Sequence, residues 1–296
     1  MKGHVQKGYV VCVAIVACIA LAGCGAGSPS AAQIDRSQKE VQLASSLRQE
    51  GSSASAITHL RTAIKLNPNN AEAYLLLGFI QMESRRFDQA EVTLHEGIEV
   101  LKKNERQGAT LAEARNIYGL CLMELGRYED ATAALLLSAQ DELNTAPHLA
   151  WGNLGLVYLR NKQPRQAVEA TVEATRLQPR FCVGYETMGT ALVELGELEK
   201  AEQAFVAAID ADEECATSPA LQRVWRMRGE VRAKLGHRHD AVADLERCVE
   251  LSPRTSEGIL CHRRCSKRIA RRRTTQTERE RWCARRSACD DSKANR

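Results

Sequence analysis

A spacing of twelve residues, kept six times, constrains this chain of 296 residues more than any other feature. A small residue is followed twelve positions later by alanine at Ala44/Ala56, Gly78/Ala90, Gly119/Ala131, Gly155/Ala167, Gly189/Ala201 and Gly229/Ala241. Small side chains let two helices approach closely. Set in apolar helical surroundings and recurring every 34 to 41 residues, such pairs describe one helical hairpin repeated along the chain.

Other registers keep step with the first. With the leading small residue at repeat position 8, the repeats begin at Ser37, Ala71, Ala112, His148, Cys182 and Gln222. Position 15 is then Gly51, Gly126, Gly196 and Gly236 in four repeats, where a left-handed glycine can end the first helix. Position 4 is aromatic in four (Tyr74, Trp151, Tyr185, Trp225). Pro68, Pro179 and Pro253 fall at position 32, where they stop the second helix. Unrelated amphipathic helices would not hold these registers together.

This pattern resembles the tetratricopeptide repeat (TPR). It implies an all-α solenoid of six helical hairpins forming a right-handed superhelix over residues 37–253, expected to be a single cooperative domain. Extra residues near Lys102–Thr110, Asn144–Pro147 and Ala211–Ser218 are expected in the loops between hairpins. No strand-like alternation of apolar and polar residues appears.

Residues 1–23 read as an export signal. Lys2 and Lys7 give a positive start, and Tyr9 to Ala22 form an apolar run too short for a comfortable membrane span. The run ends Leu21-Ala22-Gly23-Cys24, which resembles the bacterial lipobox and implies a covalent lipid on Cys24. Gly25 follows, not the Asp that retains many lipoproteins at the inner membrane. The expected location is therefore the periplasmic face of the outer membrane, with residues 24–36 as anchor and flexible tether.

The formal net charge of +4 hides two opposed parts. Cys24 to Pro253 carries 25 Lys and Arg against 32 Asp and Glu, net −7, which argues against nucleic acid as partner of the repeats. Residues 254–296 carry 14 basic against 5 acidic residues, lose the repeat pattern and contain few aliphatic side chains. They read as a basic, Cys- and Arg-rich disordered tail. Cys248 sits at a small, buried repeat position and reads as a core residue. No cysteine spacing argues for a disulfide framework, and Cys261-His262-Arg263-Arg264-Cys265 lacks the regular pairs of a zinc site.

No catalytic constellation is present: the chain has no Gly-rich phosphate loop, no His-Glu-x-x-His and no Gly-x-Ser-x-Gly. The expectation is a binding protein, not an enzyme, with no cofactor beyond the lipid, no metal and no small-molecule substrate. Positions 2, 5, 9 and 12 of each first helix share one face, the concave one in a TPR superhelix. The candidate partner groove is Leu75, Phe79 and Met82 in repeat 2, Asn116, Leu120 and Met123 in repeat 3, and Leu156 and Leu159 in repeat 4. Leu149 and Gly152 lie on the same face, while repeat 6 turns charged with Arg223, Arg226 and Glu230. An apolar groove suits an amphipathic helix or apolar segment of another protein.

A closer resemblance lies in repeats 3 and 4. Asn116-Ile117-Tyr118-Gly119, then Gly126-Arg127-Tyr128-Glu129-Asp130-Ala131, then Ala139-Gln140-Asp141 precede Asn153-Leu154-Gly155-Leu156-Val157. This order is similar to that of the TPR lipoproteins of type IV pilus biogenesis, over roughly residues 24–253. The resemblance implies a pilotin-like role, carrying or assembling the outer-membrane secretin, with a secretin subunit as protein partner. The alternative expectation is a periplasmic TPR adaptor lipoprotein that regulates cell-envelope enzymes.

Overall fold

The computed structural model describes residues 28–104 and 108–271. Among these residues every regular element is helical. The helices follow one another in the order α1 (Ala31–Gln49), α2 (Ser53–Leu66), α3 (Ala71–Glu83), α4 (Phe87–Lys103), α5 (Ala109–Glu124) and α6 (Tyr128–Ala139), with α1 packed on α2 and α5 on α6 as hairpins. Then come α7 (Pro147–Arg160) with α8 (Pro164–Leu177) and α9 (Cys182–Leu195) with α10 (Leu198–Asp210). A short α11 (Glu213–Thr217) leads to α12 (Gln222–Lys234) with α13 (Arg238–Leu251), and α14 (Ser256–Arg271) closes the described chain.

The turn within each hairpin falls at repeat position 15, and its backbone is left-handed in all six. Gly51, Gly126, Gly196 and Gly236 have φ between 76° and 90°, and Arg85 and Lys162 take the same conformation at 58° and 61°. Four repeats use the residue without a Cβ there; two bear the strain of an ordinary side chain. The small pair works as the spacing predicts. A Cβ on Gly155 would stand 2.5 Å from Thr171 Cγ2 and 3.2 Å from the Ala167 carbonyl oxygen, so the α7/α8 crossing leaves no room for one. Pro147 and Pro164 open α7 and α8, where a missing N–H costs nothing.

The described chain divides into two compact units, up to Ile80 and from Gln81 onward. In the first, Val41, Ala44, Ala56, Leu60, Ala63, Ala73, Leu77 and Ile80 form the core. Ser37, fully buried, donates to the Ala63 carbonyl at 2.8 Å and accepts from the Asn70 side chain at 2.9 Å. In the second unit, Ser138 donates to the Ala112 carbonyl at 2.6 Å, joining the same two repeat positions with donor and acceptor exchanged.

Three expectations need correction. Residues 31–36, assigned to the tether, are the first turns of α1. Ser30 caps this helix: its hydroxyl accepts from the Gln33 N–H at 3.3 Å, and Gln33 Oε1 accepts from the Ser30 N–H at 2.8 Å. The Ser-x-x-Gln box that starts the helix was readable in the sequence. The insertion around Ala211–Ser218 is a helix, α11, and not an open loop; Cys215 on it is joined to Cys182 at the head of α9 by a disulfide. The tail, expected to be disordered from 254, is helical from Ser256 through Arg271, and a second disulfide ties Cys261 on α14 to Cys248 on α13. Cys248 is thus both core and cross-link. The export signal, Cys24 and residues 272–296 lie outside the described residues.

The helix α14 stacks on repeat 6 as the first helix of a seventh repeat would. Ser256 lies 34 residues after Gln222. Thr255 caps it, accepting the Gly258 N–H at 3.0 Å and donating to Gln222 Oε1 at 2.6 Å. Arg226, at position 5 of repeat 6, pairs at 2.6 Å with Glu257, at position 2 of α14. The same relation, position 5 to position 2, joins Glu186 to Arg223 at 3.5 Å. The sequence hid this helix because position 8 is Arg263 and position 4 is Ile259, so the small and aromatic signatures are both missing.

Candidate partner-binding surface

The eight candidate groove residues do not share one fate. Leu75 and Phe79 belong to the first unit and the other six to the second. Leu75 is buried, while Phe79 is half-buried under the Arg48 guanidinium, 5.3 Å from its ring centre. Met82, Asn116, Leu120 and Leu156 are half-buried. Met123 and Leu159 are buried. Met123 packs in a cluster with Leu154 and Val157 of α7, and Leu159 packs with Ala167 and with Ala191 of α9. Position 12 points into the next repeat's first helix, so in repeats 3 and 4 it is core and not groove. Leu75, Met123 and Leu159 therefore leave the candidate set.

Asn116 is also engaged, since its Oδ1 accepts from Asn153 Nδ2 at 2.9 Å. The two asparagines come from the motifs of repeats 3 and 4 and bridge α5 to α7. What stays open in the second unit lies at positions 2 and 9, two helical turns apart. Leu149 and Val183 are 42% and 52% exposed at position 2, beside half-buried Leu120 and Leu156 at position 9. Val183 was missed because repeat 5 carries Glu186 and Thr190 on that face and reads as polar.

Beyond Val183 the face becomes an ion-pair ladder. Glu186 meets Arg223 at 3.5 Å, Arg226 meets Glu230 at 2.7 Å and Glu257 at 2.6 Å, and Arg264 meets Glu230 at 2.6 Å. Burial pushes the Glu186 carboxyl above its ordinary range, and Arg223 opposes that shift only in part. Three carboxylates against three guanidinium groups leave no net charge. This arrangement can hold a polypeptide by shape and apolar contact; it offers no nucleophile paired with a base.

Tetratricopeptide-repeat profiles match residues 47–114 and residues 148–181, 184–215 and 222–255, together more than half of the chain. The chain belongs to the tetratricopeptide-repeat family. The profile boundaries at 148 and 222 coincide with the repeat starts His148 and Gln222. Among curated relatives, the type IV pilus assembly protein PilF of Pseudomonas aeruginosa is 31% identical over 168 residues, which cover 54% of this chain and 63% of PilF. The alignment thus spans under two thirds of that relative's length.

Solved TPR structures agree on the fold. A structure from the functional characterisation of Pseudomonas aeruginosa PilF superposes with a TM-score of 0.62 at 23% identity, covering 79% of this chain and 99% of that one. The crystal structure of PilW, a widely conserved type IV pilus biogenesis factor, gives 0.65 at 19% identity, covering 76% and 97%. Neither profile match is to a catalytic family.

Proposed function

We propose that this TPR protein acts in type IV pilus biogenesis as an outer-membrane lipoprotein that binds secretin subunits and promotes their localisation and assembly into multimers. The single observation that carries the reading is the 31% identity to PilF over 168 residues. The surface at Leu120, Leu149, Leu156 and Val183 supports it, being apolar and open on one face of successive helices, as the uptake of an apolar partner segment requires. The disulfides Cys182–Cys215 and Cys248–Cys261 fit a protein that folds in an oxidising compartment, which supports the export signal and a periplasmic location. In this reading the lipid on Cys24 fixes the protein at the membrane, and the repeats bind stoichiometrically without chemistry.

The test is made in cells that lack the protein and carry the pilus genes. Restored secretin multimers with the wild-type chain, and multimers left outside the outer membrane with Cys24→Ala, are the expected results. Full multimer assembly without the protein would overturn the pilus role. Unaltered fatty-acid labelling of Cys24→Ala would overturn the anchor.

A further inference from the structure

In this fold the second helices of neighbouring repeats stand apart, and the intervening first helix floors the gap between them. Two such gaps in the second unit are closed by long side chains. Over repeat 6, between α10 and α13, Arg232 at position 11 reaches both walls: it pairs with Glu202 of α10 at 2.7 Å and with Asp244 of α13 at 3.1 Å. Over repeat 4, Trp151 and Tyr158, at positions 4 and 11, pack against a cluster that includes Ala134 and Leu135 of α6 and Ala170 of α8. The Tyr158 hydroxyl is held above its ordinary pKa by burial and by the carboxylate of Glu169.

Repeat 5 lacks this closure. Position 11 is Leu192, buried and too short to bridge. A cavity of about 560 Å³ lies between α8 and α10, floored by Tyr185, Met188 and Leu192. Its walls are apolar at Val168 and Ala204; Arg165 and Glu169 stand at its edge on α8, facing Gln203 and the Lys200–Glu197 ion pair on the α10 side. Neither of those two is in an ion pair among the described residues. An apolar floor beneath an unpaired guanidinium and an unpaired carboxylate complements a group that is flat and apolar with one polar tip. Such a tip can accept from Arg165 and donate to Glu169. A phenol has both properties, and over repeat 4 the ring of Tyr158 already packs against apolar side chains of both flanking second helices.

We propose that the open gap over repeat 5 is a second binding site, distinct from the face at Leu149 and Val183, and that it takes a tyrosine side chain presented by a protein partner. Ring burial against Met188 and Leu192 supplies the attraction, and the hydroxyl engages Arg165 and Glu169 at the edge.

The experiment uses the purified chain with 13C-methyl methionine and N-acetyl-L-tyrosinamide as probe, the Met188 resonance being assigned from Met188→Leu. A saturable shift of the Met188 methyl is expected. It should be lost in Leu192→Tyr, which gives repeat 5 the residue repeat 4 already carries, and in Ala207→Phe, which fills the gap from α10. Three results would each overturn the site: no saturable shift in wild type, an equal shift in either filled variant that keeps its helical circular dichroism, or an equal response to N-acetyl-L-leucinamide. None of these outcomes bears on the pilus role, which the multimer assay decides separately.

Discussion

Asn153 donates its side-chain N–H to Asn116 Oδ1 at 2.9 Å, and this bond joins the first helices of repeats 3 and 4. Both side chains are part-buried, so each satisfies a polar group that the stacking of α5 on α7 removes from water. The pair explains why asparagine stands at both places: an amide supplies donor and acceptor from one short side chain. Asn153→Ala should cost about 1–2 kcal/mol, since the partner amide is left without its bond. Urea unfolding of both single variants and the double variant checks this. Additive losses, with no coupling between the sites, would show that the bond contributes nothing.

The largest single loss is expected at Asp244. Its carboxylate is 2% exposed and takes two bonds from Arg228, at 2.7 and 3.1 Å, and two from Arg232, each at 3.1 Å. Arg228 in turn lies 4.7 Å over the Trp225 ring. Asp244→Ala leaves a buried guanidinium without its counter-charge and should destabilise the protein by about 3–5 kcal/mol. Thermal and denaturant melts of the variant would measure it, and a loss under about 1 kcal/mol would mean that water replaces the carboxylate.

Lys162 sits in the left-handed turn where four other repeats have glycine. Lys162→Gly should relieve backbone strain and raise stability by up to about 1 kcal/mol, offset by the greater freedom of glycine in the unfolded chain. Gly126→Ala should act in the opposite sense by a similar amount, although open space surrounds the added Cβ. If both variants melt with wild type, the left-handed turn carries no strain.

Glu186 gives the fold a pH dependence of definite sign. Its folded pKa lies above the unfolded value because burial disfavours the anion, so the protonated form is held better by the folded protein. That contribution is fully present below the unfolded pKa and is lost as pH rises through the folded one. Measured against Glu186→Gln, the wild-type chain should therefore lose relative stability as pH climbs out of the carboxylate range. A difference that stays flat from pH 4 to pH 8 would contradict the shift.

The Cys248–Cys261 disulfide closes a short loop, with a sequence separation of 13, and holds α14 against α13. Cys261→Ser should cost about 2–3 kcal/mol locally and open α14 to exchange. Hydrogen exchange at the α14 amides, compared with those of α7, measures this; equal protection in both forms would assign the hold to packing alone.

The hairpin plan was legible because it rests on local steric rules. A small residue at position 8 and a left-handed residue at position 15 are needed wherever two helices cross closely and the chain turns back, whatever the surroundings. The position-15 glycines at 51, 126, 196 and 236 announced their turns, while Arg85 and Lys162 were silent because other residues can be forced into that conformation. The binding face was less readable. Helical periodicity puts Met123 and Leu159 on the same stripe as Leu120 and Leu156, but which of them the next helix covers depends on stacking geometry. The disulfides escaped for the same reason: Cys182 and Cys215 meet only after α11 folds back on the head of α9. At α14 the pattern failed outright, since Arg263 and Ile259 replace the residues that mark a repeat.

Arg263 at the small position also limits what the chain can become. Every hairpin in a stack offers the following one a surface like the one it has itself covered, so a bare last hairpin invites the first helix of another copy, and then another without end. Here α14 already occupies that place on α13. Its own position 8 is a long, exposed arginine, against which no second helix can close to hairpin distance. Among the described residues the series therefore stops at a helix that covers α13 and offers no small position of its own, the part that a polar capping element takes in a stack of repeats.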